Sequence, residues 1–330
     1  MKRRTLASLL AASLLFQALP AAADPIVVTA RPITQFQIGR DTTRFGTLEF
    51  VGGLEFNAPA RAFGSFSAFR FMGPGSDFIG VADTGYWYFG TIGRDAKMRP
   101  TGLENFRMQA MVDASGRFLD GKLAADAESL AVRDGIAAVG YERNHRVEEY
   151  RLQPGAMKGP IRQRDFLIPR WELRQNKGIE TLAFAAKDGP LRGALVAVSE
   201  RSIDKQGNVF AAILEGPQKG IFTIRRDGDF DITDGAFLPD GDLLLLERSY
   251  LVVSGVRMRL RRIEADTIRA GSIADGPVLL YTDMSYQIDN MEGLDVWRRD
   301  DGALMVSLIS DDNGSIFQRN LYLEFILHDD

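Results

Sequence analysis

The chain has 330 residues, 25% of them charged and 45% hydrophobic, with a formal net charge of −4. That is the composition of a folded globular protein, and the mildly acidic balance argues against nucleic acid or an anionic membrane surface as a partner. There is no cysteine, which excludes disulfides, thiol chemistry and Cys-ligated metals, and two histidines are too few for a His-rich transition-metal site.

The N-terminus reads as a signal peptide over residues 1–23. Lys2, Arg3 and Arg4 form a basic start, Leu6 to Leu19 an apolar stretch, and Ala21-Ala22-Ala23 a small-residue cleavage site. The apolar stretch is shorter than the roughly 20 residues a bilayer requires. The mature chain is therefore expected to be periplasmic or secreted, without an integral membrane segment. Arg3-Arg4 also fits a twin-arginine leader. Residues 24–44 read as a lead-in.

From residue 45 to 330 the chain reads as one domain built from a repeat. An acid precedes a short apolar strand, a turn follows, and a second apolar strand ends in an acid that Arg often follows. Asp126-Ala-Glu-Ser-Leu-Ala-Val132 leads to Gly135–Arg143. Asn176–Phe184 leads to Gly193–Arg201, Asp231–Leu238 to Gly241–Arg248, and Asp289–Trp297 to Gly302–Asp312. Gly52–Phe56, leading to Phe78–Asp83, reads as a degenerate first copy with glycine in place of the acid. The spacings are 52 residues from Glu128 to Glu180, 54 to Asp234 and 58 to Glu292. A period of this size made of short strands implies an all-β fold, a β-propeller. Chain length gives five to six blades. Six is favoured, because the 76 residues between Gly52 and Glu128 leave room for a divergent blade. Gln35–Ile38 and Phe45–Phe50 read as short strands, one of which is expected to close the ring by pairing with Asn320–Leu327.

The acids fall into two sets. Glu128, Glu180, Asp234 and Glu292 open the innermost strands. Asp83, Glu142, Glu200, Glu247 and Asp311 or Asp312 end the strands that follow. In an antiparallel pair the start of one strand lies beside the end of the next, so both sets gather at one mouth of the channel. Crowded carboxylates raise one another's pKa unless a cation offsets them. Ca²⁺, which takes six to eight oxygen ligands, is the expected cofactor. Arg143, Arg201 and Arg248 are the other offset, each positioned to reach a neighbouring blade or an anionic substrate. The same pattern also has a structural reading, as inter-blade ion pairs and hydrogen bonds. His145 is a candidate acid or base beside the mouth. Asp83-Thr-Gly-Tyr-Trp-Tyr88 reads as a stacking platform or as core.

On Asp126–Val132, Gly140–Arg146, Asn176–Leu182, Val198–Arg201, Asn290–Leu294 and Ser310–Asn313, the sequence resembles the phytase-like family with esterase-like activity, secreted bacterial β-propeller proteins. The resemblance implies a phosphoesterase-type activity carried by Glu128, Glu142, Glu180, Glu200, Glu247, Glu292 and Asp312.

The expectation is thus an exported hydrolase, a monomer, acting on a small phosphoester or ester. Glu128, Glu180, Glu292, Asp234 and Asp312 would hold metal. Glu142, Glu200 and Glu247 with Arg143, Arg201 and Arg248 would be catalytic, and Asp83 and His145 would contact substrate. A non-catalytic binding propeller and a Ca²⁺-dependent lactonase-type propeller are the alternatives.

Overall fold

Tight turns set the architecture. At Asp134-Gly135 both residues have positive φ, 51° and 76°. That is the conformation of a two-residue hairpin turn matching the twist of the flanking strands, and it pairs Arg133 with Ile136. Repeated hairpins of this kind generate antiparallel sheets in a computed structural model that describes residues 23–253 and 255–328. Apart from Ala23, the leader read over residues 1–23 lies outside the described residues.

The strands form five sheets, the blades of a β-propeller. Their innermost strands are Phe66–Phe71, Ala127–Arg133, Ile179–Phe184, Asp231–Phe237 and Asn290–Arg298. Each contacts the next around a closed ring, and the fifth meets the first. The fifth blade is completed from the N-terminus, because Leu48–Asn57 pairs antiparallel with the C-terminal strand Asn320–Leu327. This is the expected closure.

The ring has five blades, where the residue arithmetic favours six. Gly52–Phe56 is not a first copy of the repeat. It belongs to an outer strand of blade 5, and the first innermost strand begins at Phe66. The apparent gap of 76 residues therefore holds the whole of blade 1 and no sixth blade. The lead-in is also built into the sheets. Asp24–Pro25 edges blade 1 and Thr29–Ile33 edges blade 5.

Blade walls are apolar on both faces because each packs between two others. In Leu243–Leu251 of blade 4, Leu243 and Leu245 enter the core shared with blade 3, while Leu244 and Leu246 enter the core shared with blade 5. Blade 3 divides likewise. Val196 and Val198 face blade 4, and Leu195 and Ala197 face blade 2. Among the described residues there are five such clusters, one per blade interface. Trp87 and Tyr88 are fully buried, so the aromatic run after Asp83 is core and not a platform.

Candidate functional site

A β-bulge recurs near the start of every innermost strand. The residue it leaves unpaired is Ser67, Glu128, Glu180, Thr233 and Glu292 in blades 1 to 5. A bulge adds one residue to one strand and re-aims its side chain. Here the residue before each bulge faces the second strand, and that strand's following residue lies at the rim. The rim residues are Asp83, Glu142, Glu200, Arg248 and Asp311. Apart from Thr233, these positions together line a pit of about 200 Å³, with Asn176, Lys177 and Asn313. A larger groove of about 740 Å³ runs along the outer edge of blade 1. Its lining holds only Asp77 and Arg107 as charged groups, so the chemistry is concentrated in the smaller pit.

Seven carboxylates from four blades meet there: Asp83, Glu128, Glu142, Glu180, Glu200, Glu292 and Asp311. Burial, with Asp126, Asp83 and Glu142 close by, pushes Glu128 well above the usual carboxylate range. Burial and then Glu128 and Glu200 do the same to Glu180. Glu200 is pushed up to about 7 by burial, even though the Lys177 ammonium lies 2.6 Å from it. Asp311 is pushed up to about 8 by burial, with Glu292 and Asp83 adding to the effect. Two cations face the acids. Arg248 lies 3.3 Å from Glu292, which also accepts from Asn290 at 2.7 Å. Lys177 bridges Glu200 and Asp231.

Two acid groups have oxygens within 4.8 Å of one another: Asp83, Asp126 and Glu128, and Glu142, Glu180 and Glu200. Asp83 Oδ1 and Asp126 Oδ1 are buried without a hydrogen-bond partner among the described residues, a costly arrangement for a carboxylate. Lys122 approaches this first group, bonding Asp83 and lying 3.4 Å from Asp126. Hard oxygen donors in clusters, with no thiol, fit Ca²⁺ better than a transition metal.

Several expected site residues lie elsewhere. Asp234 is one residue past the bulge and faces the closed channel, where Arg70 clamps it. Thr233 holds its place in the ring and donates to the Met291 carbonyl at 2.9 Å. Glu247 faces into blade 4, and Arg259 and Arg261 bind it there. Its neighbour Arg248 takes the rim position. Asp312 turns outward and accepts from Asn320 at 2.7 Å, leaving Asp311 at the mouth. Arg143 donates to Asp126 of its own blade at 2.8 Å, and Arg201 reaches Asp231 of the next at 3.3 Å. Neither lines the pit. His145 is buried behind it, its ring beside Gly178 and the Glu142 side chain. Burial lowers its pKa.

The sequence reading also missed participants. Lys177 and Asn176 stand just before Glu180, inside the repeat but outside its acid pattern. Asp126 is the acid two residues before Glu128. Ser67 leaves no signal, because its blade carries no acid at the bulge.

The fold and mouth define a five-bladed propeller with an acidic pit. A family model described as phytase-like, esterase-like activity of phytase, matches residues 61–314, and the chain belongs to that family. No curated protein matches. Among solved structures, the PQQ-bound aldose sugar dehydrogenase of Streptomyces coelicolor is 12% identical with a TM-score of 0.44, over 92% of this chain and 100% of that one. A putative oxidoreductase (glucose dehydrogenase) of Thermus thermophilus is also 12% identical, with a TM-score of 0.40, over 84% of this chain and 99% of that one.

Proposed function

We propose that the protein is an exported hydrolase of ester bonds, phosphoesters first, acting at the acidic mouth with Ca²⁺ held among its carboxylates. The observation that carries this reading is the convergence of seven acids with Lys177 and Arg248 in one pit. Two buried carboxylate oxygens without a hydrogen bond, on Asp83 and Asp126, belong to it or sit beside it.

Glu128, Glu142 and Glu180, with Asp83 and Asp126, are the residues that would hold the metal. Ca²⁺ there supplies charge that offsets the phosphoryl oxygens and acidifies a coordinated water. Arg248 and Lys177 draw the phosphoryl group towards the acids, where its negative charge would otherwise be repelled. Glu200 is the proposed general base. Its carboxyl titrates at about 7, so near neutral pH a substantial fraction is ionised and can accept a proton from water. Glu292 holds the Arg248 guanidinium in place.

Hydrolysis of a generic phosphoester and a generic carboxylic ester is measured side by side, with Ca²⁺ and after EDTA. The reading predicts Ca²⁺-dependent turnover of the phosphoester. Turnover of the carboxylic ester alone would favour a lactonase-type chemistry. No turnover of either would leave a binding propeller whose acids are structural.

A further inference from the structure

Large apolar side chains that stand out in solvent are concentrated on one face of this propeller, with Val27 on the outer edge of blade 1 and Ile38 in the lead-in as exceptions. The mouth face carries the turns after each second strand and the connections from one blade to the next. Leu123, Trp171, Val252, Val253, Ile316 and Phe317 all lie in such segments, on four different connections around the ring. Trp171 is 84% exposed, Val253 99% and Phe317 88%. On the opposite face the most exposed large apolar residue is Ile161, at 52%. Single exposed apolar residues are ordinary, but a crown of them on one face marks a contact surface.

The crown has two further properties. One tip carries exposed basic neighbours, Arg170 and Arg174 bracketing Trp171, while Lys122 before Leu123 and Arg319 after Phe317 are held by Asp83 and Asp126 and by Glu55 and Asp289. An aromatic or aliphatic tip beside Lys or Arg suits a lipid interface, where the tip enters the acyl boundary and the cation meets the phosphate layer. The tips also surround a polar pit instead of forming one groove, so a peptide or helix has no continuous apolar track to follow. A lipid layer meets separate tips equally well and presents its headgroups to the centre.

We infer that the mouth face seats on a phospholipid surface and that the pit receives a lipid headgroup phosphoester. The second half rests on the hydrolase reading above. The chain is net acidic, so a zwitterionic layer is the occupant, held by apolar insertion and not by long-range attraction.

The test is flotation of the protein with phosphatidylcholine vesicles. A Trp171→Ser, Phe317→Ser double variant is compared with wild type, and its thermal melt confirms its fold. Both residues are exposed and outside the pit. The expected result is flotation of wild type that persists at high salt, reduced by about tenfold or more in the variant, with turnover of a soluble phosphoester unchanged. Wild type that stays with the protein-only control, or a variant that floats as wild type does, overturns the inference. In a second arm, phosphatidylcholine in the vesicles is compared with the soluble glycerophosphocholine lacking its acyl chains. Faster cleavage of the vesicle-borne ester supports the headgroup assignment. Equal cleavage overturns that assignment. Flotation with no cleavage of any phosphoester removes the hydrolase reading and leaves the docking surface standing.

Discussion

Arg70 of blade 1 and Asp234 of blade 4 form a bidentate ion pair across the central channel, at 2.7 and 2.8 Å. Arg70 also donates to the carbonyls of Leu182 in blade 3 and Leu294 in blade 5. Asp234 accepts in addition from the Leu294 and Gly235 amides. One guanidinium thus ties four blades together and closes the channel beneath the pit.

Removing one partner leaves an uncompensated buried charge. Asp234→Asn or Arg70→Ala is expected to lower the unfolding free energy by about 3–5 kcal/mol. Replacing both, as Arg70→Met with Asp234→Leu, should recover much of that loss. Chemical denaturation of the three variants checks it. A double variant as unstable as the worse single would show that the carbonyls, not the carboxylate, are what Arg70 satisfies.

Glu247 and Arg248 are neighbours with opposite predicted phenotypes. Glu247 is buried in blade 4 between Arg259 and Arg261. Glu247→Gln should destabilise by about 3–5 kcal/mol and leave turnover per folded molecule unchanged. Arg248→Ala should spare stability more and reduce kcat/KM by about 10²-fold, the size expected when a donor to developing charge is lost. Melts and steady-state kinetics on both variants separate the roles.

The pit makes metal-free stability depend on pH with a definite sign. Glu200 titrates at about 7 and Asp311 at about 8 in the fold, above their ordinary values near 4. Between those limits the folded state binds more protons than the unfolded, so this contribution is fully present below about pH 4 and is lost as pH rises to about 8. The Tm of EDTA-treated protein should fall from pH 5 to pH 8. Glu200→Gln should flatten the slope. A Tm that rises over this interval, with no flattening in the variant, would contradict the crowding of these acids.

Added Ca²⁺ should reverse that trend. Stabilisation by a ligand reaches about 2.7 kcal/mol at a hundredfold excess over Kd, and the carboxylates must be ionised to bind. The Tm gain should therefore be larger at pH 8 than at pH 5. Glu128→Gln and Glu180→Gln should each shrink it. A gain independent of pH and of both residues would place the metal elsewhere.

The repeat was legible because inter-blade burial forces apolar strands of fixed length, separated by turn residues such as Asp134-Gly135. The mouth was legible because antiparallel pairing brings strand starts beside strand ends. Three things were not. A bulge shifts the register by one residue, and a one-residue shift sends a side chain to the other face. Pattern matching on acids therefore selected Asp234 and Glu247, where the bulge selects Thr233 and Arg248. Blade 1 also carries Ser67 at its bulge, so its acid pattern was sought at Gly52, in a strand that closes the ring. Lys177 was hidden for a simpler reason: a lone lysine in a loop carries no periodic signal.

The most direct measurement is the pH–rate profile of phosphoester hydrolysis by Ca²⁺-loaded wild type and Glu200→Gln protein, with Ca²⁺ binding verified for both. The wild-type rate should rise with pH along a limb carried by Glu200, and the variant should be slower by about 10²–10⁴-fold without that limb. A variant that binds Ca²⁺ and hydrolyses the ester with the wild-type profile would contradict a catalytic role for the mouth as assigned.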